Sequence, residues 1–225
     1  MTIRIMLDFE TLSLKENAVL LAIGACTFDP ATGEIGAEFY AAIDPRTQHG
    51  RDISASTVLW WMEQDVRARA KITDAIKAAD QVEAGLPDDM DEAARAEVEA
   101  SAAFSIQNVA RGLLVWIGTL GDDIEVWSNG AKDHSWFDSM FEYSGYKNPL
   151  QYGNQRDYRT LKALFPELKR EEYGVAHNAL DDAIGQAKHA CAIMRHSDDT
   201  RAAAGLDRQY EAPQPAVEFD DDIPF

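Results

Sequence analysis

The chain has 225 residues, 46% of them hydrophobic, enough for one large domain with its own core, and no apolar run approaches membrane-spanning length. Its formal net charge of −18 argues against tight, non-specific binding to a duplex, because affinity for a polyanion comes from basic side chains. The charge is uneven: residues 80–99 carry eight acids against one arginine, and residues 211–225 carry five acids and no base, so the rest of the chain is far less acidic.

The opening MTIRIMLDFE reads as a strand over 2–9 rather than a signal peptide, with Ile3, Ile5 and Leu7 on one side. Residues 18–28 (AVLLAIGACTF) form an apolar run expected as a central strand, and 36–43 follow after the turn PATGE. Helical spacing then begins at Ser56 and runs through TVLWWMEQDVRARAKI. Residues 78–100, rich in Ala, Glu and Asp around LPDD, read as a solvated, acidic helical insertion or a mobile loop. A helix is predicted over 102–120, where Ile106, Val109, Leu113, Trp116 and Ile117 keep helical spacing. A strand over 124–128 and helices over 134–144, 157–164 and 178–195 complete the pattern. This order predicts an α/β fold with a mixed sheet flanked by helices. Cys26 and Cys191 lie in apolar stretches and read as reduced core thiols of a cytoplasmic protein. Residues 1–196 are expected to form the domain and 197–225 a flexible tail, of which 205–225, with Pro213 and Pro215 and no periodicity, are expected to be disordered.

Five side chains carry candidate chemistry. Asp8 and Glu10 in MLDFETL are two apart, so on a strand both point to one face and can grip one cation. Phe9 between them faces the packed side. In HNALDDAIGQA, Asn178 with Asp181 three residues on resembles a capping box, which puts His177 on the loop outside a helix and Asp182 in its first turn. Leu180, Ala183, Ile184, Ala187, Cys191 and Met194 give that helix an apolar stripe. A histidine on such a loop stays wet and suits a general base. Asp133 follows IEVWSNGAK, a strand running into a turn, and Asp138 is the rival position five residues later.

Together these pieces resemble the DEDDh 3′–5′ exonucleases, a family that includes the DnaQ proofreading subunit and RNase T, on an RNase H-like fold. DFETL matches the first motif, His177 with Asp182 the third, and Asp133 the acid of the second. STVLWWMEQ and DYRTLKALFP bring the likeness closest to phage and bacterial members, over about residues 3–195. KDH at 132–134 departs from the Phe-Asp of many relatives, which keeps Asp138 open. The resemblance implies that Asp8, Glu10, Asp133 and Asp182 hold two Mg²⁺ or Mn²⁺ ions, which activate water and stabilise the leaving 3′ oxygen. It implies His177 as the base and nucleoside 5′-monophosphates as products. Thr11 and Leu12 would contact the terminal nucleotide, with Trp61 and Asn129 also on the substrate side. Trp60 and Trp61 diverge by about 100° on a helix, so one packs inward and the other is free to stack on a base. Arg156, Arg159 and Lys162 are candidates for phosphate contact, or a solvated helix face. Single-stranded DNA and RNA 3′ ends both remain open as substrates, as does a homodimer, by analogy with relatives.

The chain ends in EFDDDIPF, which resembles the C-terminal tip of bacterial single-stranded-DNA-binding protein. Asp220, Asp221 and Asp222 with Glu218 would steer toward a basic rim, and Ile223, Pro224 and Phe225 would form an apolar plug. The partners this implies are host proteins that recognise that tip, in a bacterial cell and with a phage-encoded origin compatible. An alternative of another class is a non-catalytic decoy that competes through this tail, although a decoy has no need of all five site residues.

Overall fold

The structure, a computed structural model, describes residues 2–150 and 152–205. Five strands form one sheet: β1 (Ile3–Thr11), β2 (Leu20–Phe28), β3 (Ile35–Ala42), β4 (Ile124–Ser128) and β5 (Gln155–Asp157), in the order β3-β2-β1-β4-β5. β1 pairs antiparallel with β2 and β2 with β3, whereas β4 runs parallel to β1 and β5 parallel to β4. This is the mixed sheet that the RNase H-like expectation calls for. β1 carries its alternation to both sides. Ile5, Leu7 and Phe9 enter one core with α4 (Ile106–Leu120) and α5 (Ala131–Ser144). Met6 enters the other with α7 (Ala179–Ala203), where Ala183, Ile184, Ala187 and Cys191 form the expected stripe.

Several boundaries differ from expectation. The helix predicted from Ser56 divides into α1 (Ala55–Glu63) and α2 (Val66–Ala84), because Asp65 between them is an N-cap whose side chain accepts from Arg67 N. The acidic stretch does not begin as a separate insertion at residue 78. Ala75 and Ala78 of α2 are buried, and only after Ala84 does the chain break, before α3 (Glu92–Ser101). Ser105 caps α4, so residues 102–105 precede it. α7 runs past residue 196 to Ala203, which moves the start of any tail beyond the expected boundary. β5 lies outside the elements predicted from the sequence, and α6 (Tyr158–Ala163) follows it directly. Both cysteines are free and buried. No helix among the described residues is long and apolar enough to cross a membrane. The candidate docking tip, Asp220 to Phe225, lies outside the described residues.

Candidate active site

Asp8 and Glu10 lie on the face of β1 that looks toward α7, beside their β2 partners Gly24 and Ala22. Gly24 is what lets α7 approach. A Cβ there would stand 2.2 Å from Ala179 C and 2.2 Å from Leu180 N, so the first turn of α7 rests directly on the β2 backbone. That contact brings Asp182 to the two β1 acids.

The turn before α7 is pinned from within. Asn178 caps the helix, accepting from Leu180 N at 3.2 Å. The reciprocal half of the expected capping box is not formed: Asp181 Oδ2 accepts from Val175 N at 2.8 Å, while Asn178 N donates to the Val175 carbonyl. Asp182 Oδ2 accepts from His177 N at 2.7 Å. His177 has φ 63, the one described non-glycine residue at positive φ. Such a conformation costs an L residue about 1–2 kcal/mol and persists where surrounding bonds over-determine it.

Asp133 comes from the other side of the sheet edge. Because β4 lies beside β1, its exit turn at Gly130 starts α5 with Asp133 in the first turn. Asp133 Oδ1 accepts from Phe9 N at 3.3 Å, between the two β1 acids in sequence. Asp138 faces elsewhere, bonded to Asn148.

Asp8, Glu10, Asp133, Asp182 and His177 thus line one cleft of about 900 Å³. Glu10, His177 and Asp182 bring one ligand atom each within 4.8 Å of one another. Glu10, Asp133 and Asp8 resist ionisation. Glu10 is pushed up to about 8, by burial first and then by repulsion from Asp182 and Asp133. Burial also lifts Asp133 to about 7, against hydrogen bonds from backbone N–H groups and the attraction of Arg159. Asp8 is raised well above the carboxylate range by burial and then by Asp133, Glu10 and Asp182, and a hydrogen bond from Gln186 Nε2 at 2.8 Å opposes this. A set of hard oxygen donors crowded against their own repulsion is suited to divalent cations.

The remaining expected residues divide. Asn129 lines the cleft and accepts from Lys162 Nζ at 3.2 Å. Thr11 is buried, with its hydroxyl donating to the Ser13 carbonyl at 2.8 Å, and Leu12 N is spent on the Val19 carbonyl. Trp61, expected at the substrate, is instead buried against Leu21, Ala68 and Ile72, and its Nε1 donates to the Thr11 carbonyl at 2.9 Å. The exposed ring is its neighbour Trp60, which meets the His177 ring edge-on with centroids 4.7 Å apart. Helical divergence predicts this split but not its sense. Arg156 is also spent on structure: it pairs with Glu125 at 2.9 Å and donates to two carbonyls. Gln186, Lys132, Lys169 and Arg170, none of them expected, also line the cleft. Only the position of Gln186 one helical turn after Asp182 hinted at its place.

A comparison with curated protein sequences finds no match. The fold is similar to that of the nuclease domain of 3′hExo, a DEDDh family member, bound to rAMP, with a TM-score of 0.55, 15% identity, and 86% of this chain and 92% of that chain covered. It is also similar to a 3′-exonuclease described in 3′-end specific recognition of a histone mRNA stem-loop (TM-score 0.52, 13% identity, 86% and 82% covered). E. coli exonuclease I in complex with a dT13 oligonucleotide is a third (TM-score 0.51, 13% identity, 91% of this chain but 43% of that one). Residues 3–86 and 88–194 match the 3′–5′ exoribonuclease Rv2179c-like domain, and the chain belongs to that family.

Proposed function

We propose that this protein is a metal-dependent 3′–5′ exonuclease that removes nucleoside 5′-monophosphates from single-stranded 3′ ends, with RNA as its substrate. The observation that carries the reading is the convergence of four carboxylates and one histidine, from β1, α5 and the start of α7, on a single cleft. RNA is favoured by the family's description as exoribonuclease and by the rAMP and histone mRNA named with two similar structures.

In this reading Asp8, Glu10, Asp133 and Asp182 hold Mg²⁺ or Mn²⁺. When bound, these ions supply charge stabilisation at the scissile phosphate and lower the pKa of the attacking water. His177 takes the proton from that water as its oxygen attacks phosphorus. The bond from phosphorus to the 3′ oxygen breaks, leaving a 5′-monophosphate and a new 3′-hydroxyl. Asp182 holds the His177 backbone, so the imidazole keeps its reach while its loop is fixed. Trp60, at the His177 ring, offers a face on which the terminal base can stack. The Thr11 carbonyl accepts from Trp61 Nε1 and so fixes the helix turn that carries Trp60.

The test is Mn²⁺-dependent release of mononucleotides from 5′-labelled single-stranded RNA and DNA. Stepwise shortening, faster on RNA, is the expected outcome. Intact oligonucleotides under all metal conditions would sink the enzyme reading and favour the decoy. His177→Ala should lower kcat by about 10²–10⁴-fold while keeping most Mn²⁺ affinity. An unchanged rate would remove His177 from proton transfer.

We also propose that the terminal EFDDDIPF docks onto host proteins that recognise the tip of single-stranded-DNA-binding protein. The reading is supported by the acidic run, the apolar Ile223-Pro224-Phe225 end and the terminal carboxylate. A peptide VEFDDDIPF that fails to bind any such protein would defeat it.

A further inference from the structure

One wall of the cleft is basic and has no role in the hydrolysis described above. Lys132 of α5, Arg159 and Lys162 of α6, and Lys169 and Arg170 of the segment that follows all line it. The chain has 39 acids for 21 lysines and arginines, so carboxylate partners are plentiful. Yet Lys132, Arg159, Lys162 and Lys169 form none of the ion pairs found among the described residues. Lys162 Nζ reaches Asn129 instead, and the Arg159 guanidinium lies over the start of α5, 3.5 Å from where a Gly130 Cβ would stand. The cations are close enough to disfavour one another: the Lys162 ammonium is pushed down by burial and then by Arg159 and Arg170. Arg170 alone of the five forms an ion pair among the described residues, with Asp182 Oδ1 at 3.2 Å, which joins this wall to the acid cluster. Several cations on one wall, four of them outside any ion pair among the described residues, beside the acid cluster offer more than one contact to a polyanionic strand, where a single small anion would need only one or two.

We propose that this wall is a track for the phosphates upstream of the scissile linkage, so that the protein holds single-stranded RNA by its backbone, independent of sequence, and discriminates against dinucleotides. The inference rests on the exonuclease reading. Its rival is that the cations merely offset the charge of the acidic floor.

The experiment compares wild-type protein with Lys162→Gln, Lys169→Gln and the double variant. The probe is a 5′-fluorescein single-stranded RNA with phosphorothioate 3′ linkages, titrated in Mn²⁺ at several KCl concentrations. The track predicts that the slope of log affinity against log salt becomes shallower by roughly 0.7 per cation removed. It also predicts a higher KM on RNA with kcat nearly kept, a loss several-fold smaller on a dinucleotide, and a larger loss for Lys169→Glu than for Lys169→Gln. An unchanged salt slope, or equal losses on RNA and dinucleotide accompanied by altered Mn²⁺ affinity, would overturn the track in favour of simple charge balance. Binding is read without turnover, so a protein that binds with the predicted slopes but cleaves nothing would sink the exonuclease reading and leave the track standing.

Discussion

The Asp8 carboxylate, placed by β1, accepts a hydrogen bond from one neutral side chain among the described residues. Gln186 is buried, its Nε2 is bonded to Asp8 Oδ1, and its Oε1 finds no partner among the described residues. An amide with a stranded oxygen is costly unless its other end is needed, because a buried unsatisfied acceptor forfeits about 1–3 kcal/mol. The geometry fits a partner that orients a ligand carboxylate. Gln186→Leu should therefore weaken Mn²⁺ binding by about 10–100-fold, read by calorimetric titration. An affinity equal to wild type would show that Asp8 needs no such support. Asp133 and Asp138 differ in the same plain way: the first is tied to the β1 backbone, the second to Asn148 on the outer surface.

The seam between β2 and α7 matters most among the elements. Both atoms that crowd Gly24 belong to backbone, so neither can swing aside. Gly24→Val would overpack the seam and should cost about 1–3 kcal/mol in urea unfolding. It should also lower Mn²⁺ affinity, because the displaced helix carries Asp182 and drags the His177 turn with it. Full affinity in a destabilised variant would mean that the start of α7 can be relocated without loss of the site.

For the molecule as a whole, the raised carboxylates link stability to pH. Glu10 goes from 4.5 to about 8 and Asp133 from 3.8 to about 7 on folding, so the folded state holds these protons more tightly than the unfolded chain. Their contribution is complete below about pH 4 and disappears as pH rises through 7 and 8. Metal-free protein should lose thermal stability between pH 5 and 8. Mn²⁺ should restore it, with a larger rise in Tm at pH 8 than at pH 5, since the ligands bind deprotonated. A flat Tm for the metal-free protein across that range, measured by scanning calorimetry, would contradict the charge crowding deduced for the cleft.

What could be read from the chain was whatever a local period encodes. The apolar runs announced β1, β2 and β4, the spacing of Asp8 and Glu10 put two acids on one face, and Asn178 marked the start of α7 with His177 just outside it. β5 was not legible because three polar-rich residues, Gln155–Asp157, carry no apolar alternation and become a strand only by pairing with β4. The division of α1 from α2 depended on one capping aspartate inside a continuous helical pattern. Tertiary structure alone decided which tryptophan turns inward, which aspartate of α5 meets β1, and that cations spread from Lys132 to Arg170 share one wall. Periodicity tells a side chain which face of its own element it occupies. Only packing of one element on another sets the distance between faces, and the chemistry of this cleft depends on those distances.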